Sequence, residues 1–356
     1  MKIFMFPAAF LFGEGERMKK ILLRDINILD IVGADRPGLP PGGVLVAMRA
    51  AALCRTDIKM IRQGHRDLVL PRIPGHEGVG EVIASDNPAL PPGTMAAVYP
   101  GCYCGTCPAC RQGQTARCRS LSIFGFNRDG LFRTIVPFSG QELSSLVPCP
   151  PEMDPLVAVL AEPLACCLSA LRKFPGVERD NALIVGAGAV GYLFAALLVS
   201  SGWQRVLIAD SDPARLGGEI PQGVEKLPST TSDLPEIIKE IGLAASLRLL
   251  IPACPGGLDW PFWEALAPGG CVSVFSGMEG AGERVVAMNR LHYGELVLAG
   301  SYGCNRIDFA DALDMLSRKV VDVSFLRPVT ISLENVLDGV GLLEKRRAKK
   351  VIITSF

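Results

Sequence analysis

Residues 182–191 read Ala-Leu-Ile-Val-Gly-Ala-Gly-Ala-Val-Gly, and their setting decides the fold of half the chain. An apolar run, Leu183 to Val185, leads into Gly186-x-Gly188-x-x-Gly191. A stretch with few breakers, Tyr192 to Ser201, reads as a helix that Gly202 ends. The next strand-like run, Val206-Leu207-Ile208-Ala209, finishes at Asp210, 19 residues beyond Gly191. A lone G-x-G-x-x-G is weak evidence. With a strand before it, a helix after it and an acid at this distance, it predicts a dinucleotide-binding βαβ unit. The first glycine makes the turn, the second lets backbone approach a pyrophosphate, and the third allows close helix–strand packing. Ala189 and Val190, between the glycines, are candidate cofactor-binding positions, and the N-terminus of the helix that follows favours phosphate. Asp210 is expected to accept hydrogen bonds from ribose hydroxyls and to repel a 2′-phosphate, which predicts NAD rather than NADP. Ser211 and Asp212 add no positive partner for such a phosphate. Arg215 either stacks on the adenine or is a plain solvated helix residue.

Working outward, 356 residues is too long for one ordinary core and suggests about two domains. The chain is 49% apolar and 20% charged, so it is not a disordered polymer. Thirty-six basic and 36 acidic residues leave no net charge to draw nucleic acid. No apolar run is long enough to span a membrane, so neither partner is expected. Residues 1–17 begin with an apolar stretch but lack a small-x-small cleavage site, and they read as an N-terminal extension. A cytoplasmic protein is the expectation.

Twelve cysteines would suggest disulfides in a small secreted domain, but here five fall within residues 102–118. From Cys104 the spacing is C-x2-C-x2-C-x7-C, through Cys107 and Cys110 to Cys118. Four thiolates on one glycine-rich loop close a tetrahedron around a single Zn2+, leaving no open position; such a site is structural. Cys102 is set aside as a fifth ligand, because C-x-C would strain that loop. A nucleic-acid zinc module would need a basic recognition helix nearby, and none follows.

Three histidines are present. His76 lies in Pro-Gly-His-Glu-Gly-Val-Gly, residues 74–80, where glycines on both sides present it at a loop edge. Upstream is Cys54-Arg55-Thr56-Asp57, and far downstream Ala161-Glu162-Pro163. Cys54, His76 and Glu162 form a candidate three-ligand set with a fourth position for water or substrate. His65 and His292 read as surface or packing residues.

Together these motifs resemble the zinc-dependent medium-chain alcohol dehydrogenase family, from about Met18 to Phe356. The Glu162-Pro163-Leu164-Ala165 stretch and the segment from His292 to Leu296 resemble its sorbitol and threonine dehydrogenase branch. The resemblance implies an α/β protein: a β-rich GroES-like catalytic domain over 18–166 and 306–356, with its zinc lobe at 101–119. A Rossmann domain with a doubly wound parallel sheet would occupy 167–305. It implies two Zn2+ per chain, one catalytic and one structural, and reversible hydride transfer from a secondary alcohol or polyol to NAD+. It also implies that Glu77 stands behind the metal or enters its coordination, that Asp57 orients the His76 imidazole, and that Thr56 passes the alcohol proton. Lys59 stands where many relatives carry a proton-relaying histidine, and an ammonium of ordinary pKa is a poor shuttle near neutrality. Lys59 therefore either meets an anionic group or is solvated, and Arg55 is a second departure. Zinc-free quinone and enoyl reductases share the fold but lack the cysteine lobe. A homotetramer or homodimer is implied, with pairing at the edge of the Rossmann sheet.

Overall fold

The computed structural model describes residues 18–229, 233–254, 262–277 and 287–356. The 1–17 extension lies outside the described residues. The chain forms two compact units. One comprises residues up to Glu162 together with Asn305–Ser317 and Arg327–Phe356; the other comprises Pro163–Cys304 and Arg318–Leu326. The short segment 318–326 was read above as part of the tail. It groups with the second unit, where the Phe325 ring meets Tyr192 at 5.7 Å between centroids.

The first unit is built on a seven-stranded sheet around Val44–Leu53. That strand is almost wholly apolar, and nine of its ten residues are buried, as expected of a central strand covered on both faces. Its one long charged residue, Arg49, pairs across the ladder with Glu81. Glu77–Ser85 and Ile135–Phe138 run antiparallel to it. So does the strand Val351–Ser355, which pairs Val351 with Leu53 at the end of the central strand. The Arg55–Gln63 helix starts directly after the central strand. Asp57 sits in its first turn and accepts the backbone N–H of Cys54 at 2.8 Å, which fixes the turn between strand and helix.

The second unit is a six-stranded, wholly parallel sheet. Its order is Val224–Pro228, Arg205–Asp210, Asn181–Val185, Leu247–Pro252, Leu266–Val274 and Val297–Gly300. In chain order that is 3-2-1-4-5-6, with the switch point beside Asn181–Val185, where such sheets bind dinucleotides. Leu183, Leu207, Leu250 and Val272 form its buried core. The order follows from alternating apolar strands and helices, joined by right-handed crossovers.

Candidate metal and dinucleotide sites

The end of the central strand, the loop after it and the start of Glu77–Ser85 bring three donor groups together. The Cys54 sulfur, an imidazole nitrogen of His76 and a carboxylate oxygen of Glu77 all lie within 4.8 Å of one another. His76 and Glu77 are buried and Cys54 is partly so. Gly75 makes this approach possible: its φ is +96°, and a Cβ there would strike the Phe132 ring at 2.4 Å.

Two buried ion pairs support the cluster. Asp57 Oδ1 lies 3.3 Å from His76 Nδ1, short of full hydrogen-bond geometry, and neither atom has a hydrogen-bond partner among the described residues. Burial pulls the His76 imidazole down, but the Asp57 carboxylate and Cys54 outweigh it and hold the group well above its ordinary pKa. The position thus favours positive charge, whether a proton or a cation. Behind Glu77, which is fully buried, stands the Lys350 ammonium, paired with Oε2 and itself only 6% exposed. Glu77 Oε1 has no hydrogen-bond partner among the described residues. Burial lowers the Lys350 pKa, and Glu77, Cys54 and Glu162 more than restore it. A partly buried thiol, a buried imidazole and a buried, incompletely satisfied carboxylate suit a divalent cation of zinc's chemistry.

The other expected site residues fall around this cluster. Glu162 is buried in the first turn of the Ala161–Leu171 helix. It is not part of the close group of Cys54, His76 and Glu77, but its charge acts on Lys350. Thr56 is half-buried and Lys59 exposed on the Arg55–Gln63 helix. Arg55 donates to the Leu343 carbonyl at 2.9 Å.

Lys350 gave no signal in the sequence, being a lysine before a terminal strand, 273 positions from its partner. His65, read as a surface or packing residue, lies beside the site. Its ring meets Phe126 edge-on at 5.3 Å, and Phe126 meets His76 at the same distance. Burial lowers the His65 pKa, Asp67 opposes, and the charges of Lys59, Arg66 and His76 lower it further.

In the lobe, one sulfur from each of Cys104, Cys107, Cys110 and Cys118 falls within 4.8 Å of the others. Cys107–Cys110 and Cys104–Cys118 are 3.5 Å apart. The Cys107 N–H donates to Cys104 Sγ at 3.4 Å, and the Cys104 N–H to Cys118 Sγ at 3.3 Å. The Thr106 hydroxyl and backbone N–H groups bring the Cys104 thiol down to about 5. Burial and the neighbouring sulfurs push Cys110 up to about 12. Four sulfurs at these distances resist full ionisation alone, and a bound cation removes that resistance. Cys102 stands apart, its sulfur 3.5 Å from Ser145 Oγ. Asn305 and Arg306 anchor the lobe: Ala116 N–H donates to Asn305 Oδ1 at 3.2 Å, and Arg306 N–H to Thr115 Oγ1 at 2.8 Å.

In the second unit, Gly188 caps the Ala189–Ser200 helix. A Cβ at Gly191 would sit 1.9 Å from the Gly186 carbonyl, so only glycine permits this helix–strand approach. Val190 and Gly191 occupy the first turn behind Ala189. This cradle fits a dinucleotide phosphate. Asp210 closes its strand and is 7% exposed. Its Oδ2 accepts from Ala187 N–H at 2.7 Å and from Arg215 Nη1 at 3.1 Å, and its Oδ1 from Asp212 N–H at 3.0 Å. Arg215 is thus tied to Asp210, not free in solvent, and a cation stands beside the acid expected to repel a 2′-phosphate.

The alcohol dehydrogenase GroES-like domain model matches residues 40–150. A D-altritol 5-dehydrogenase of Agrobacterium fabrum is 34% identical over 75% of this chain and 79% of its own. Among solved structures, an alcohol dehydrogenase of Escherichia coli CFT073 complexed with NADH superposes with a TM-score of 0.82 at 24% identity. The match covers 96% of this chain and all of that one. A zinc-binding dehydrogenase of Sinorhizobium meliloti bound to NADP gives 0.81 at 23% identity, over 95% and 99% of the two chains.

Proposed function

The chain belongs to the zinc-type medium-chain alcohol dehydrogenases, and we propose that it reversibly oxidises a secondary alcohol or polyol to the ketone or aldehyde. NAD+ is the proposed acceptor, and two Zn2+ per chain the proposed metals. The observation that carries the reading is the convergence of Cys54, His76 and Glu77, with Lys350 behind Glu77 and Asp57 behind His76. The relative acting on a polyol and the relatives bound to NADH or NADP support it.

At the first metal position, Cys54, His76 and Glu77 are the proposed holders, with Glu162, outside that close group, as the alternate carboxylate. Zinc there supplies a Lewis acid that makes the alcohol proton easier to remove. The residues do the rest. The Asp57 carboxylate, 3.3 Å from His76 Nδ1, would hold the imidazole in place beside the metal position. Thr56, two residues from Cys54, takes the alcohol proton at its hydroxyl oxygen and passes its own outward. Phe126 walls the site beside His76 and limits water. Lys59 stands where many relatives carry a relaying histidine, and His65, its pKa lowered chiefly by burial, lies beside the Phe126 wall. Cys104, Cys107, Cys110 and Cys118 hold the second metal, which braces the lobe. Gly186, Gly188, Ala189, Val190 and Gly191 cradle the pyrophosphate of the nicotinamide dinucleotide, which supplies the hydride acceptor. Asp210 and Arg215 meet its adenosine end. The Asp210 carboxylate favours the unphosphorylated ribose. Because Arg215 offsets part of that charge, the preference for NAD+ over NADP+ is expected to be modest.

A homodimer or homotetramer is proposed through the Val297–Gly300 strand. It is the last of its sheet, with Val297 and Leu298 exposed.

The test is a screen of polyols, secondary alcohols and amino alcohols with NAD+ and NADP+, reading reduced cofactor, alongside metal analysis. Turnover of one alcohol class with about two zinc per chain is the expected result. A zinc-free protein with no affinity for either dinucleotide would end the proposal.

A further inference from the structure

We propose that the first unit carries a second ligand site, a cleft of about 520 Å3 that binds the phosphate or carboxylate group of a small metabolite on Arg72, Arg128 and Arg133. The volume falls in the range of small-molecule sites. Apart from these arginines the cleft is lined by Asn127, Asp129, Ser139 and Glu142, with Pro40, Phe124 and Pro137 as apolar walls. None of the donors around Cys54 lines it. The 124–130 turn serves both places: Phe126 meets His76, while its neighbours Phe124, Asn127, Arg128 and Asp129 line the cleft.

Three guanidinium groups face two carboxylates, and both carboxylates are already engaged. Asp129 Oδ1 accepts from Arg72 Nη1 at 3.0 Å and from the Ile73 N–H at 3.2 Å. Glu142 Oε2 accepts the Ser139 N–H at 2.9 Å, and its other oxygen pairs with Arg128. Two of the arginines are also fixed in direction. Arg72 Nε donates to the Val69 carbonyl at 2.9 Å, and Arg128 Nε to Ser122 Oγ at 3.0 Å.

Arg133 is the group left over. Its Nη2 donates to the Asp129 carbonyl only at 3.4 Å, and its Nε is buried with no hydrogen-bond partner among the described residues. Burial lowers its pKa, and the attraction of Asp129 and Glu142 does not make up the difference. A partly buried cation whose buried Nε donor is unmet favours an acceptor of opposite charge. A phosphate or carboxylate offers two oxygens in the geometry a guanidinium fork matches. Pre-fixed neighbouring arginines reduce the ordering cost of binding. Nucleic acid does not suit the cleft, because the chain as a whole carries no net positive charge.

The test is calorimetric titration of the full-length zinc-loaded protein with inorganic phosphate and, separately, succinate. Saturable binding of either is expected, and the better ligand identifies the group the cleft prefers. Arg133→Met raises Kd at least tenfold. Arg128→Gln, at a partly exposed position, also weakens binding while circular dichroism stays that of the parent. Phosphate held at the glycine loop of the other unit would be indifferent to both substitutions. Absence of saturable binding by either anion, or unchanged affinity in both variants, overturns the proposal.

Discussion

Replacing Lys350 by Met removes a buried cation and leaves the Glu77 carboxylate behind. Glu77 is fully buried and the Lys350 side chain is 6% exposed, so water does not take over the lost partner. Breaking a buried pair from one side costs about 3–5 kcal/mol. A cation at the Cys54–His76 position carries part of the burden, so about 3 kcal/mol is the expected loss for the zinc-loaded protein. With a urea m-value of about 2–3 kcal/mol/M for a unit of this size, the midpoint moves down by about 1 M. The deficit depends on pH with a definite sign. In the parent, the folded pKa of Lys350 is raised, so its contribution is complete below the ordinary lysine pKa and fades only above it. In the variant, the stranded Glu77 stays buried without its cation, where desolvation penalises the ionised carboxylate and not the neutral acid. The penalty therefore belongs to the ionised form and is relieved in acid. A second substitution, Glu77→Gln, removes the stranded charge and should recover most of the loss. Urea melts of the parent, both single variants and the double variant across pH 4.5–8 make the cycle. A loss under about 1 kcal/mol, no growth of the deficit with pH, or a double variant no better than Lys350→Met alone would refute the reasoning.

Cys54→Ala is expected to lower the metal content from two zinc to one per chain and abolish turnover; atomic absorption and cofactor reduction read this directly. Cys107→Ser opens the other cluster, so it too loses one zinc, with a lower melting temperature read by differential scanning fluorimetry. Gly191→Ala forces a Cβ toward the Gly186 carbonyl; titration by intrinsic fluorescence should show NADH affinity at least tenfold weaker. Because Asp57 and Cys54 hold the His76 imidazole above its ordinary pKa, protons compete for the metal position from that raised value downward. Zinc retention against a chelator should then fall about tenfold per pH unit below it, and Asp57→Asn should move the onset to lower pH.

Features written into neighbouring residues could be read without coordinates. The Gly186–Gly191 turn follows from steric demands on consecutive residues. The cysteine spacing from 104 to 118 can close on itself because one loop carries all four sulfurs. The Asp57 contact to Cys54 N–H is a matter of one helical turn. The parallel order of the second sheet follows from alternating strands and helices under a handedness rule. Contacts between distant positions were a different matter. Nothing local marks Lys350 as the partner of Glu77, because that pairing depends on Val351 lying opposite Leu53 in the sheet. His65 and Phe126 meet because two loops pack, not because of their spacing. Asn305 and Arg306 brace the zinc lobe because the start of their helix packs there, 189 and 191 positions along the chain from the residues they hold. Arg215 was open between adenine and solvent until the fold set its side chain against Asp210. Local sequence determines what a short segment can become, because its sterics and capping act within a few residues. The burial and charge of any one side chain depend on which distant segments the hydrophobic core brings against it, and that was decided only in the tertiary structure.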